Sequence, residues 1–138
     1  MIRAVLVDDE KLARDVIFNY LRDYCSDVEI VAQASTVRTA HAAILRTSPD
    51  LVFLDIEMPD GKGFDLLNMF DRIDFKIIFV TAYSEYAIKA FRFSAVDYLL
   101  KPVKIDELVD AVAKVRTAEP NGISTEIVNS LLSNLRSG

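Results

Sequence analysis

Short, almost unbroken apolar runs alternate along this chain with longer segments whose apolar residues recur at helical spacing. The runs are Ile2 to Val7, Val28 to Ala34, Leu51 to Leu54, Ile77 to Val80 and Val96 to Leu100. Each is rich in Val, Ile, Leu or Phe. Several lack the in-out alternation of a strand with one wet face, which predicts parallel strands covered on both sides.

The segments between them read as helices. Leu12, Val16 and Tyr20 keep a four-residue spacing, with Ala13, Ile17 and Leu21 beside them. Val37, Ala40 and Ile44 mark a second helix, and Phe64, Leu67 and Phe70 a shorter third. Ser84 is the expected N-cap of a fourth, with Glu85 in its first turn. Ile105, Leu108, Val109 and Val112 give the fifth. That helix has Asp106 and Glu107 early and Lys114 and Arg116 late, which suits the helix dipole. Ser48-Pro49-Asp50 and Pro59-Asp60-Gly61 read as turns.

Five strand-helix pairs predict an α/β domain with right-handed crossovers. The expected arrangement is flavodoxin-like and doubly wound, a five-stranded parallel sheet of order 2-1-3-4-5 with five flanking helices. Periodicity by itself leaves the order open. The domain is expected to span residues 1–117. Residues 118–138 read as a linker, with a turn at Pro120-Asn121-Gly122, and a short amphipathic helix through Ile127, Val128, Leu131, Leu132 and Leu135. That helix is too short to stand alone. It would pack on the domain, open a following output domain, or pair two copies.

Composition narrows the function. A net charge of −5 argues against nucleic-acid binding by this stretch, which would need Lys and Arg to neutralise phosphates. The single cysteine, Cys25, cannot form an internal disulfide and reads as a core residue, which points to a reducing compartment. No signal peptide or run near the ~18 apolar residues of a membrane span is visible, so the expected location is cytoplasmic. Among four glycines, Gly61, Gly63, Gly122 and Gly138, none closes the first strand-helix turn. A glycine-rich nucleotide loop is therefore not expected. The only histidine, His41, falls inside the second helix and reads as a surface residue.

The chemistry lies where polar residues end the apolar strands. Asp8 and Asp9 end the first, Asp55 the third, Thr81 the fourth and Lys101 the fifth. In a parallel sheet these ends share one edge, where open α/β sheets bind ligands. Asp8 and Asp9 alone could be mere helix-capping acids. Three carboxylates converging with a lysine are another matter. Their repulsion calls for a cation. Mg²⁺, a hard ion that takes one or two carboxylates and a phosphate oxygen, suits them; Mn²⁺ would serve as well.

With these residues in place, the sequence resembles the receiver domain of bacterial two-component response regulators over about residues 2 to 116. The resemblance rests on Asp8-Asp9, on the stretch Leu54 to Gly63, on Thr81-Ala82 and on Lys101-Pro102, in that order and spacing. It implies that Asp55 accepts a phosphoryl group from the phosphohistidine of a sensor histidine kinase. It implies a Mg²⁺ site of Asp8, Asp9, Asp55 and the backbone carbonyl of Glu57, with Asp9 the more direct of the acid pair. Thr81 would bond the phosphoryl group and Lys101 would pair with it. Tyr98 would be the aromatic that turns inward when the threonine moves. Ala82, Tyr83 and Pro102 would support the site, the Lys101-Pro102 bond being cis. Such a domain acts on itself, catalysing its own phosphorylation from small donors and its own dephosphorylation, and is no enzyme toward other substrates.

Tyr86 to Phe91 and Ala95 to Pro102 are similar to receivers of the LytTR class, which implies transcriptional output through a C-terminal LytTR DNA-binding domain. The resemblance also implies an output and dimer surface on helix four, strand five and helix five, here with Tyr86, Lys89, Arg92 and Phe93. Glu57 and Tyr83, two residues beyond Asp55 and Thr81, would flank the phosphoryl group. Tyr83 would shield it from water or be a plain exposed aromatic. Two rivals differ in class. A haloacid-dehalogenase-type phosphatase would show a second Asp where Glu57 stands and an acid pair late in the chain. A phosphate-independent interaction module would have no need of Asp9, Asp55, Thr81 and Lys101 together.

Overall fold

The structure is a computed structural model that describes residues 1–117. In chain order its elements are β1 (Ile2–Val7), α1 (Lys11–Tyr24), β2 (Val28–Ala34), α2 (Val37–Thr47), β3 (Leu51–Leu54), β4 (Glu57–Met58), β5 (Gly61–Lys62), α3 (Gly63–Asn68), β6 (Lys76–Thr81), α4 (Ala87–Arg92), β7 (Asp97–Leu100) and α5 (Ile105–Thr117). The main sheet is parallel, with order β2-β1-β3-β6-β7. Counting only its own strands, that is the expected 2-1-3-4-5. β4 and β5 form a separate antiparallel ribbon.

The apolar runs are continuous because successive side chains serve two cores. Val5 and Val7, Val52 and Leu54, Ile77 and Phe79, and Tyr98 pack on one face with residues of α2, α3 and α4. Ala4 and Leu6, Leu51 and Phe53, Ile78 and Val80, and Leu99 pack on the other with α1 and α5. Cys25 is buried in this second core, as expected, and burial pushes its thiol up. α5 is held at its end by a two-pronged pair between Arg116 and Asp27, both contacts 2.6 Å. Lys114 reaches the buried Asp97 at the start of β7, at 2.9 Å.

Local details depart from the sequence reading in four places. In α1 the Ala13-Ile17-Leu21 row faces the core, while Leu12 and Val16 are exposed. Two apolar rows of equal spacing cannot be ranked without knowing where the sheet lies. α3 ends at Asn68, so Phe70 lies beyond it, half-buried against Phe75 and His41. His41 is accordingly half-buried rather than a plain surface residue. Ser84 does not cap α4. The helix begins after Tyr86, which makes no side-chain cap, and Ser84 only offers its carbonyl to the Ala87 N–H at 3.2 Å. Finally, Pro59-Asp60-Gly61 is a turn that also reaches away. Asp60 accepts the Val37 and Arg38 N–H groups at 2.8 and 3.1 Å, capping α2 alongside the Thr36-Thr39 capping box. Those bonds hold its carboxyl below the usual range. Gly61 allows the turn with φ of 152°.

The expected helix through Ile127 to Leu135 lies outside the described residues.

Candidate functional site

The parallel register aligns the ends of β1, β3, β6 and β7 along one edge. The chain past each end is tied to its neighbour: Asp8 N–H to the Ala34 carbonyl at 3.0 Å, Asp55 N–H to Val7 at 2.9 Å, and Lys101 N–H to Thr81 at 2.8 Å. The backbone ladder therefore brings Asp8, Asp55, Thr81 and Lys101 to the same edge. Asp8, Asp55 and Thr81 are all buried.

Lys101 organises the carboxylates. Its ammonium donates to Asp8 Oδ2 at 2.8 Å, to Asp55 Oδ2 at 2.9 Å and to Glu10 Oε1 at 3.2 Å. An ammonium has three N–H donors, and here each has an anionic partner. The remaining Asp55 oxygen accepts the Ile56 N–H at 2.6 Å. The remaining Asp8 oxygen accepts the Glu10 N–H at 2.9 Å. Burial lifts Asp8 above the ordinary carboxylate range, against the pull of the Lys101 hydrogen bond; the nearby Asp55 charge adds to the lift. Burial alone would depress Lys101, but its bonds to Asp8 and Asp55 outweigh that and hold it above its usual value. The ammonium is thus fully charged at neutral pH.

Carboxylate oxygens of Asp8, Asp9, Glu10 and Asp55 lie within 4.8 Å of one another. The donor set is all hard oxygen, with Asp9 and Glu10 facing solvent and Asp8 and Asp55 buried. It fits a Mg²⁺ or Mn²⁺ ion that keeps several waters. Glu10 was not among the sequence candidates. The signal was there in three consecutive acids at a strand end, but nothing in sequence tells a third acid of the site from the first acid of a helix. Arg14 was also missed: its guanidinium donates to the Asp8 carbonyl at 2.6 Å and to Gln33 at 3.2 Å, bracing the acidic turn.

The other candidates sit on the loop after β6 and on β7. The Tyr83 N–H donates to Thr81 Oγ1 at 3.4 Å. The Tyr83 carbonyl accepts the Tyr98 hydroxyl. Tyr98 lies inward, buried beside Phe79, and burial pushes its phenol well up. Ala82 is exposed, and so are Pro102 and the Tyr83 ring. Lys101-Pro102 is cis. The Glu57 side chain points to Lys62 Nζ at 2.7 Å and to the Tyr86 hydroxyl at 2.6 Å, which hold its carboxyl below the usual range. Of the four residues expected on the output face, Tyr86 and Phe93 turn onto Phe64 and are half-buried. The exposed apolar side chains there are Ile88, Phe91 and Leu100.

Residues 4–113 match the model of the response regulator receiver domain. The chain belongs to that family. The receiver is 37% identical over 128 residues to the sensory transduction protein LytT of Bacillus cereus, covering 91% of this chain and 52% of that protein. It is 42% identical over 117 residues to the transcriptional regulatory protein BtsR of Escherichia coli, covering 84% of this chain and 48% of the other. The chain thus spans about half the length of the curated relatives it matches. Among solved structures, it resembles the response regulatory domain of protein mrkE from Klebsiella pneumoniae, with a TM-score of 0.77, 29% identity and 84% and 96% of the two chains covered. The REC domain of AraT from Geobacillus stearothermophilus gives 0.75, 31%, and 84% and 93%. Among the described residues, no helix is long and apolar enough to cross a membrane.

Proposed function

We propose that this receiver is a phosphoacceptor switch that takes a phosphoryl group on Asp55 from the phosphohistidine of a sensor histidine kinase. The observation that carries the reading is Asp55 itself: buried at the strand edge, one oxygen fixed by a backbone N–H and the other by Lys101, with acids around it. A carboxylate held this way is aligned for attack. Its oxygen bonds to phosphorus as the phosphorus–nitrogen bond breaks, and the electron pair returns to the imidazole. Lys101 then faces the incoming negative charge. Asp8, Asp9, Asp55 and the Glu57 carbonyl are the groups that would hold Mg²⁺, with Glu10 at the margin. The ion would supply positive charge to the transferring oxygens. Small phosphodonors would serve in place of the kinase. Incubation with acetyl phosphate and intact-mass measurement test the reading.

The switch follows from the backbone of Tyr83, which touches both Thr81 and Tyr98. A phosphoryl group adds close to two negative charges. Thr81 Oγ1 would turn its hydroxyl to that group, and the peptide that bonds it would carry the change to Tyr98 and α4. The resting and active states would differ in how often this inward Tyr98 is populated. Ile88, Phe91 and Leu100 would then mark the surface of α4, β7 and α5 that changes, including any phosphorylation-dependent homodimer. Transcriptional output through a LytTR DNA-binding domain is supported by the relatives, about twice as long, one of them named a transcriptional regulator. A cytoplasmic location follows from the same reading.

Two outcomes are expected. Saturating Mg²⁺ should raise the melting temperature: at one hundred times its dissociation constant, a ligand of the folded state adds about 2.7 kcal/mol. Asp9→Asn should remove most of that gain in a thermal melt. Tyr83→Ala, which strips a 44% exposed ring beside the site, should hasten loss of the phosphoryl group by roughly threefold or more if the ring screens water, about 0.65 kcal/mol of barrier. Decay followed by intact mass, unchanged in the variant, would make the ring a bystander.

A further inference from the structure

The six-residue helix α4 lacks a side-chain cap, and short uncapped helices depend on their surroundings for position. What surrounds the start of α4 is unusual. Tyr86 is the residue on which the helix begins, and its carbonyl accepts the Ala90 N–H at 2.9 Å. Its hydroxyl donates to Glu57 Oε1 at 2.6 Å, across 29 positions of sequence. The same oxygen receives the Lys62 ammonium at 2.7 Å, and that ammonium lies 5.7 Å from the Tyr86 ring centroid. The ring rests edge-on against Phe64 at 5.9 Å and Tyr83 at 6.2 Å. A phenol, a carboxylate and an ammonium thus join the β4–β5 ribbon to the loop before α4.

Both ends of that contact are attached to the site. Glu57 is two residues from Asp55. Tyr83, on which Tyr86 rests, is bonded through its backbone to Thr81 and Tyr98. We propose that the hydrogen bond between Tyr86 and the Glu57 carboxylate is a latch, and that Tyr86 is a positioning residue acting through it. The closed latch fixes the loop 82–86 relative to Asp55, and so fixes where Thr81 and the Tyr83 ring stand when a phosphoryl group arrives. Lys62 keeps the carboxylate it shares with the phenol charged. A hydrogen bond to a charged group is stronger than a neutral one, which lets one side chain hold a loop that lacks a cap.

The latch rests on the receiver reading only for its effect on phosphoryl lifetime, so its test has an arm that needs no phosphate. Tyr86→Phe removes one oxygen and leaves the ring on Phe64. In the unmodified protein without Mg²⁺, amide hydrogen exchange across residues 82–87 should speed up by about threefold to tenfold, as expected for one lost bond. Exchange in β1 and β3 should stay as it was. Glu57→Ala should loosen the same amides, and Tyr86→Phe combined with Glu57→Ala should add little to either alone. In protein phosphorylated by acetyl phosphate, the same non-additivity should appear in the decay of the adduct. A bond that only adds global stability would move all amides together and leave the decay unchanged. Unchanged exchange at 82–87 in Tyr86→Phe, or single effects that simply add, overturns the latch. Failure to phosphorylate would count against the phosphoacceptor reading with small donors, while the exchange arm still decides this one.

Discussion

Asp55→Asn should show no phosphoryl adduct at any time when incubated with acetyl phosphate and Mg²⁺, while the wild type gains one. The amide is nearly the same shape, so the Ile56 N–H keeps its acceptor. What goes is the anionic oxygen that would attack and that faces Lys101 at 2.9 Å. The variant should still fold. Lys101 keeps Asp8 and Glu10 as partners, so its ammonium is not stranded, which is the costly way to break a buried pair. Relief of the repulsion between Asp8 and Asp55 works in the same direction. The wild-type adduct should be lost with a chelator and be labile to hydroxylamine, as an acyl phosphate is. An adduct of equal yield on Asp55→Asn would move the acceptor elsewhere in the acidic group and sink the assignment.

Gly63→Ala should damage the domain more than a methyl added at Gly61, the other described glycine. A Cβ built there would stand 2.5 Å from the Asp55 carbonyl oxygen and 3.0 Å from Leu54 Cγ. The first contact is with backbone, which cannot swing aside as a side chain would. Gly63 also donates its N–H to the Ile56 carbonyl at 2.7 Å, closing the loop tightly behind Asp55. Relief requires shifting α3 or the Asp55 peptide. The cost is roughly 1–3 kcal/mol for overpacking a core, or about 5–15 °C in melting temperature for a domain of this size. The variant that does fold should take phosphate more slowly, because its acceptor has moved. A melting temperature within a degree of wild type would mean that the loop yields cheaply, and the close approach would then have no energetic meaning.

The inner strands β1, β3 and β6 were legible because they bury both faces, and a continuous run such as Leu51 to Leu54 has few other readings. The residues that end those strands were legible for the same reason: a polar side chain directly after such a run has only the sheet edge to occupy. Helices were read less well. In α1 two apolar rows competed, and only the position of the sheet decides that Ile17 and Leu21 go inside while Leu12 stays wet. For α4, Ser84 offered a good local cap, yet Tyr86 won because its ring and hydroxyl found Phe64 and Glu57. A contact across 29 residues leaves no local trace. The same is true of Asp60, whose turn was evident and whose capping of α2 was not. Glu10 was hidden by its own respectability, as an acid one residue before a helix.

The two cores, one on each side of the sheet, meet only through strands whose neighbouring residues belong to opposite sides. Val52 and Phe53 are adjacent in sequence and never share a partner helix. Substitutions among the side chains of α1 and α5 are therefore felt by those of α3 and α4 chiefly as small strains in a stiff backbone. A duplicated copy of such a domain could drift on one side while the packing of the opposite side stayed as it was. The acidic edge belongs to neither side, and it is where such a lineage has least room to wander.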